Sequence, residues 1–157
     1  MLIRRLARPL LAGVFVTGGL DALRQPAAKA KVAADPIDEA AHKMDVDAPE
    51  TETLVKVNAG AMIGAGVLLS TGKLPRLSSV VLAGTLVPTT WAGHRFWEEE
   101  DPERKAQQQI HFMKNLGLLG GLILAAVDTE GKPGLAWRAK HAGQRLADAA
   151  PSLPGKD

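Results

Sequence analysis

The sequence predicts an all-α protein: a four-helix transmembrane bundle with both termini cytoplasmic, a long external first loop and a basic C-terminal tail helix. Three observations predict it. The apolar residues are gathered into charge-free stretches at 9–20, 57–72, 77–93 and 115–127. A stretch such as Ala59-Gly60-Ala61-Met62-Ile63-Gly64-Ala65-Gly66-Val67-Leu68-Leu69 has no polar face, which a helix of a water-soluble bundle needs. The connections between the stretches alternate in charge, as a membrane topology requires.

The stretches hold 12, 16, 17 and 13 residues, so length alone leaves a soluble bundle open. A membrane span is read directly only from about 18 uncharged residues. The flanking Arg8, Lys56, Lys73, Arg76 and Lys114 are long enough to snorkel, which lengthens each segment. Windows 6–23 and 110–127 then cover 18 residues each. Such a helix is about 27 Å long, close to the ~30 Å hydrocarbon core. The predicted spans are 6–23, 55–71, 76–93 and 108–127, within a membrane domain of residues 1–131 followed by a basic tail of 132–157.

Charge sets the orientation. The start of the chain (Arg4, Arg5, Arg8), the turn with Lys73 and Arg76, and the tail together carry +6, against −4 for the other two connections. The positive-inside rule places the first set in the cytoplasm of a multi-pass plasma (inner) membrane protein. The first block has a second reading as a secretory signal. Arg4-Arg5 would be its basic region, residues 10–20 its apolar core and Ala28-Lys29-Ala30 its cleavage site. Asp21 and Arg24 follow the apolar run directly and weigh against it.

Asp35-Pro36 with Asp38-Glu39 has the pattern of a helix start, so the first connection is expected to be a loop that either carries a short surface helix through Lys43 or is disordered. Pro49-Glu50-Thr51-Glu52 is a start signal for the second span. Gly72-Lys73-Leu74-Pro75-Arg76 combines a helix stop and restart, making spans two and three an antiparallel hairpin. Pro88 lies inside the third span, where Thr85, Thr89 and Thr90 stand near enough to satisfy a freed carbonyl. Asp101-Pro102-Glu103 starts the fourth helix outside the bilayer. Residues 135–146 read as a basic helix on an anionic leaflet, with Trp137 and Leu146 as anchors and Arg138, Lys140 and Arg145 as charge, or as a frayed tail. Trp91, Trp97 and Trp137 fall at span edges, where interfacial tryptophans belong. Gly60-x-x-x-Gly64 and Gly117-x-x-x-Gly121, extended by Gly66 and Gly120, supply small faces for helix packing or a homo-oligomer.

Composition narrows the chemistry. With no cysteine, the 157-residue chain cannot itself supply a disulfide, a thiolate nucleophile or a Cys-held metal centre. A net charge of +2 is too small to argue for nucleic acid. The densest polar region joins the end of span three, His94-Arg95-Phe96-Trp97, to the start of span four, His111-Phe112-Met113-Lys114-Asn115. A hairpin would bring two imidazoles, two cations and an amide to one external membrane face.

The candidate ligand-binding residues are His94, Arg95, Trp97, His111, Lys114 and Asn115. His94 could exchange a proton with a quinone carbonyl, Arg95 or Lys114 could offset a reduced quinone's charge, and Asn115 could bond a ring oxygen. Arg95, Lys114 and the histidines also read as interface anchors, and His94 and His111 as axial ligands of a haem. No metal-ligand spacing motif is present. Asp21 needs a partner near hydrocarbon, and Arg95, Lys114 or Arg24 would form a structural ion pair with it.

The segment His94-Arg95-Phe96-Trp97, then about a dozen polar residues, then Phe112-x-Lys114-Asn115-Leu116-x-Leu118-x-Gly120-Gly121, resembles the DoxX family. The arginine-rich start with Gly18-Gly19-Leu20 and the segment Gly64-x-Gly66-Val67-Leu68-Leu69 are similar too, so the resemblance runs over residues 4–127. It implies a small four-helix integral membrane protein. The family is named after a subunit of an archaeal thiosulfate:quinone oxidoreductase, and other members are linked with membrane redox or detoxification complexes. Many relatives carry an acid in the second span, where this chain has Met62. The expected role is a subunit of a quinone-linked redox complex, with quinone as the candidate cofactor and a redox enzyme as the candidate partner. The alternatives are a non-catalytic scaffold that recruits soluble redox enzymes through the acidic outer loops or the basic tail, and a small-solute permease.

Overall fold

The structure, a computed structural model, describes residues 2–48, 50–129, 141 and 144. Its elements are α1 (Leu2–Arg24), α2 (Pro26–Lys43), α3 (Thr51–Ser70), α4 (Pro75–Gly93) and α5 (Pro102–Val127), and the described residues contain no strand. The chain divides into two compact units, Met1–Val127 and Asp128–Asp157, and all five helices belong to the first. Trp137, Arg138, Lys140 and Arg145, on which the expected tail helix rests, lie outside the described residues.

The boundaries follow local chemistry. Pro26 disfavours helical backbone at the residue before it, and Gln25 accordingly sits at φ −133°, ψ 53° between α1 and α2. Pro26 then opens α2, where a missing N–H costs nothing. The expected start at Asp35-Pro36 is corrected here: α2 begins at Pro26 and carries Pro36 in its interior, so most of the first connection is helix rather than loop. Seven alanines in 18 residues favour helix along this segment strongly enough to absorb the hydrogen bond that Pro36 omits. α2 buries Ala30, Pro36 and Ala41 and turns Lys31, Asp35 and Asp38 outward.

Between α3 and α4 the turn uses two left-handed residues, Gly72 at φ 72° and Leu74 at φ 50°. Glycine takes that conformation freely, whereas leucine is strained there and is held by Pro75 opening the next helix. Asp101 caps α5, its Oδ1 accepting the Arg104 backbone N–H at 2.9 Å.

α1 packs most extensively along α3; α3 packs on α4 and α4 on α5, while α2 lies against α3 and α4. The shared core is small: Ala12, Phe15, Ala65, Leu69, Leu82, Leu86 and Leu122. Close backbone approach replaces bulk at two points. A Cβ on Gly19 would stand 2.8 Å from the Ala59 carbonyl oxygen and from Ile63 Cγ1, and one on Gly66 would stand 2.8 Å from Val16 Cγ2. The expected small faces are therefore only partly the ones that pack these helices. Gly66 and Gly121 meet α1, but a side chain at Gly60, Gly64, Gly117 or Gly120 would meet nothing within 4 Å.

The large apolar side chains point outward instead. Leu6, Leu10, Val57, Val67, Leu77, Val87, Ile110 and Leu124 are all exposed, on α1, α3, α4 and α5. α1, α3 and α5 are long and apolar enough to cross a membrane. α4 is not among them, and four of its five Ser and Thr residues are turned inward. Ser78, Ser79, Thr85 and Thr90 are buried on the same face as Leu82 and Leu86.

Gly19→Ala is expected to lower stability by about 1–3 kcal/mol, because its methyl group collides with a backbone carbonyl that cannot move aside. Gly60→Ala, with open space around it, is expected to be neutral or slightly stabilising. Helical circular dichroism followed through thermal unfolding in lipid nanodiscs separates the two.

Candidate functional site

α4 stops at Gly93, and its last hydrogen bond runs from the His94 backbone N–H to the Thr90 carbonyl at 3.0 Å. The eight residues to Asp101 turn the chain into α5. On α5, Gln108, His111, Asn115, Leu118 and Leu122 recur at helical spacing and form the inward face, polar at its start and apolar at its end. This face and the end of α4 bring the predicted residues together.

His94 and His111 stack, with ring centroids 5.2 Å apart and planes 20° from parallel. His94 Nδ1 lies 2.7 Å from Gln108 Oε1, and Lys114 Nζ lies 3.3 Å from His111 Nδ1. Beside the stack, Phe96, Trp97 and Phe112 form an edge-to-face trio with centroid separations of 5.2, 5.4 and 6.0 Å. Trp97 is 46% exposed, so the trio reaches the surface.

The other predicted residues are directed elsewhere. Asn115 points into the bundle, where its amide donates to Thr90 Oγ1 at 3.0 Å. From the opposite side of α4, the Asn58 amide donates to Thr89 Oγ1 at 3.2 Å. Both threonine hydroxyls still donate to their own helix, at the Thr85 and Leu86 carbonyls. The hydroxyls near Pro88 thus bond the carbonyls of Leu82, Thr85 and Leu86, which flank the Gly84 carbonyl that the proline frees.

Arg95 turns away from the histidines towards α2. Its guanidinium donates to Glu39 at 2.8 Å and pairs with Glu98 at 3.0 Å, and it lies 4.5 Å above the Trp91 ring. The side chain is only 17% exposed, and its buried Nε has no hydrogen-bond partner. Asp21 pairs with Lys29 of α2 at 2.7 Å, with Gln25 donating to it at 3.4 Å. The expected ion pair forms, but its closest partner is a lysine one turn into the helix that follows directly, in place of Arg95 or Lys114.

The five polar groups therefore do not converge on one cavity. They divide into a stacked imidazole pair with Lys114, an α2 clasp at Arg95, and a buried amide–hydroxyl contact at Asn115. The stacked rings present faces rather than nitrogen lone pairs to each other, an arrangement unlike two axial ligands with iron between them. Among the described residues, no group of three or more His, Cys, Asp or Glu side chains is placed to hold a metal ion. Gln108 and Glu39 were missed by sequence reasoning. Gln108 was legible in principle, three residues before His111 on one helix face; the Glu39–Arg95 pair spans 56 positions and leaves no local signal.

The DoxX family model matches residues 3–95. The chain belongs to the DoxX family. The match covers α1 to α4 and ends on His94 and Arg95, so Trp97, His111, Lys114 and Asn115 of this DoxX chain lie beyond it. Neither a comparison with curated proteins nor one with solved structures returns a match. Family membership and the three long apolar helices mark a small integral membrane protein.

The clasp has a pH signature. Hydrogen bonds from Lys43 and then Arg95 pull the Glu39 carboxyl down from 4.5 to about 2, and the same contact raises the Arg95 guanidinium. A carboxylate held low in the folded state stabilises above its unfolded value and loses that contribution as pH falls through its folded value. Wild type is therefore expected to be more stable than Glu39→Gln at neutral pH. The gap should begin to close below pH 4.5 and vanish near pH 2, as read from paired unfolding midpoints at low salt.

Proposed function

We propose that this DoxX chain spans the plasma membrane four times, through α1, α3, α4 and α5, and serves as the membrane subunit of a quinone-linked redox complex. The exposed leucines and valines on these four helices support the spans, and α2 is set apart from them: Val32 is the one large apolar side chain it exposes. α4 qualifies because its five hydroxyls all donate to carbonyls of its own helix or of the turn just before it, which removes most of the cost of polarity in lipid. Charge supports the orientation. The Arg8 guanidinium comes within 3.3 Å of where a Cβ on Gly72 would stand, so the basic start of α1 and the Lys73/Arg76 turn share one end, taken as cytoplasmic.

The observation that carries the quinone reading is the His94–His111 stack with Lys114 beside it and the Phe96–Trp97–Phe112 trio built on the residues next to them in the chain. A quinone head group needs hydrogen-bonding groups for its carbonyls and an aromatic surface for its ring. Its apolar tail needs lipid, and Ile110, Met113 and Leu116 present such a side on the same turns of α5. Electrons would come from a soluble partner enzyme, with this chain supplying the quinone site and the attachment to the membrane. Arg95 and Asn115 then act structurally, as their intramolecular contacts suggest.

A second reading is a scaffold that recruits redox enzymes without binding quinone. It is favoured by the external surface formed by the charged side of α2 and the run Glu98-Glu99-Glu100-Asp101.

Protein extracted gently from its native membrane is expected to carry quinone, and the double variant His111→Ala/Lys114→Ala to lose it by at least tenfold while still assembling with partners. Quinone-free wild type that retains its partners would instead establish the scaffold. Topology is tested separately, since the chain has no cysteine of its own. A membrane-impermeant maleimide should label Glu99→Cys in intact cells and Lys73→Cys only after permeabilisation.

A further inference from the structure

The stacked histidines are each flanked by an atom that can bond in only one sense, the Lys114 ammonium nitrogen and the Gln108 amide oxygen. An ammonium carries donors and no acceptor, so Lys114 beside His111 Nδ1 makes that nitrogen the acceptor. A neutral imidazole has one donor and one acceptor, and His111 therefore carries its proton on Nε2. The reverse holds across the stack. An amide oxygen accepts only, so Gln108 Oε1 at 2.7 Å makes His94 Nδ1 the donor and leaves the lone pair on His94 Nε2.

We propose that the His94–His111 stack is a tautomer-locked pair. His94 Nε2 is a hydrogen-bond acceptor, His111 Nε2–H is a donor, and Gln108 is the positioning residue that sets the first of them. The pair is matched to both members of a quinol–quinone couple: its acceptor can take a hydroxyl of the quinol, and its donor can serve a carbonyl of the quinone. A hydroxyl donates to His94 and a carbonyl accepts from His111. This deepens the quinone reading and rests on it for the identity of the ligand. The assignment of the two protons rests only on the contacts within this chain. The side chain that orients an imidazole through its other nitrogen decides which face of its chemistry a ligand meets, as the outer partners of metal-bound histidines do.

The test is nitrogen NMR on full-length protein in lipid nanodiscs, with 15N in the histidine rings. The chain has four histidines, and His42→Gln, His94→Gln, His111→Gln and His141→Gln assign the signals. Wild type should show His94 protonated at Nδ1 and His111 protonated at Nε2. Gln108→Leu should transfer the His94 signal to the Nε2-protonated form and leave His111 unchanged. Gln108→Glu, which keeps an acceptor at the same place, should retain the wild-type pattern at His94. Lys114→Leu should release His111 alone.

A His94 ring protonated at Nε2 in wild type, or one indifferent to Gln108→Leu, overturns the proposal. If Gln108→Leu fails to fold, the wild-type spectrum and Lys114→Leu still decide. Quinone content measured on the same samples keeps the two ideas apart. The stated tautomers in quinone-free protein uphold the lock and remove its ligand, whereas bound quinone on oppositely protonated rings removes the lock and leaves the site.

Discussion

Hydroxyl groups that bond their own helix are the constraint on which the arrangement depends. α4 carries Ser78, Ser79, Thr85, Thr89 and Thr90, and four of the five are buried between helices whose outer surfaces are leucine and valine. In hydrocarbon an unsatisfied donor costs several kcal/mol, so a helix of this composition could not lie there with its hydroxyls free. Each is instead returned to a backbone carbonyl within five residues. The oxygens keep a lone pair, and two of them use it to accept an amide from a neighbouring helix, Asn58 at Thr89 and Asn115 at Thr90. The polarity of α4 thereby ties α3 and α5 to it at one level, just after Pro88.

The same economy explains why so little bulk is buried. Between membrane helices, lipid is as apolar as any side chain, so leucine gains little by facing inward and close backbone contact gains more. Gly19 against Ala59 and Gly66 against Val16 let α1 lie along α3 at short range, and the large side chains are left for the surface. A water-soluble bundle would show the reverse pattern, with its leucines gathered inside and its serines outside.

At the opposite end from the Lys73/Arg76 turn, α2 closes the structure with charges rather than apolar surface. Lys29 reaches Asp21 near its start, and Glu39 reaches Arg95 near its end. Its buried side chains are two alanines and a proline, too small to hold a helix by burial alone. Arg95 is consumed in this clasp and stands apart from the imidazole pair and Lys114.

The order of the residues determined the helices and their environment. Apolar runs without a polar side, proline and aspartate at helix starts, and glycine at a turn are local signals, and α3, α4 and α5 stand where those signals put them. α2 was misjudged because Asp35-Pro36 is a local start signal that an alanine-rich helix begun at Pro26 can override. Tertiary structure alone decided the pairings. Which glycines touch a neighbour depends on how each helix is rotated, and Gly60 and Gly64 carry the same motif whether they face a helix or nothing. His94 and His111 could be placed at one end of a hairpin from their positions. That they stack, that Gln108 and Lys114 each lie against a ring nitrogen, and that Arg95 leaves them for Glu39 follow from side-chain directions that exist only once the helices have packed.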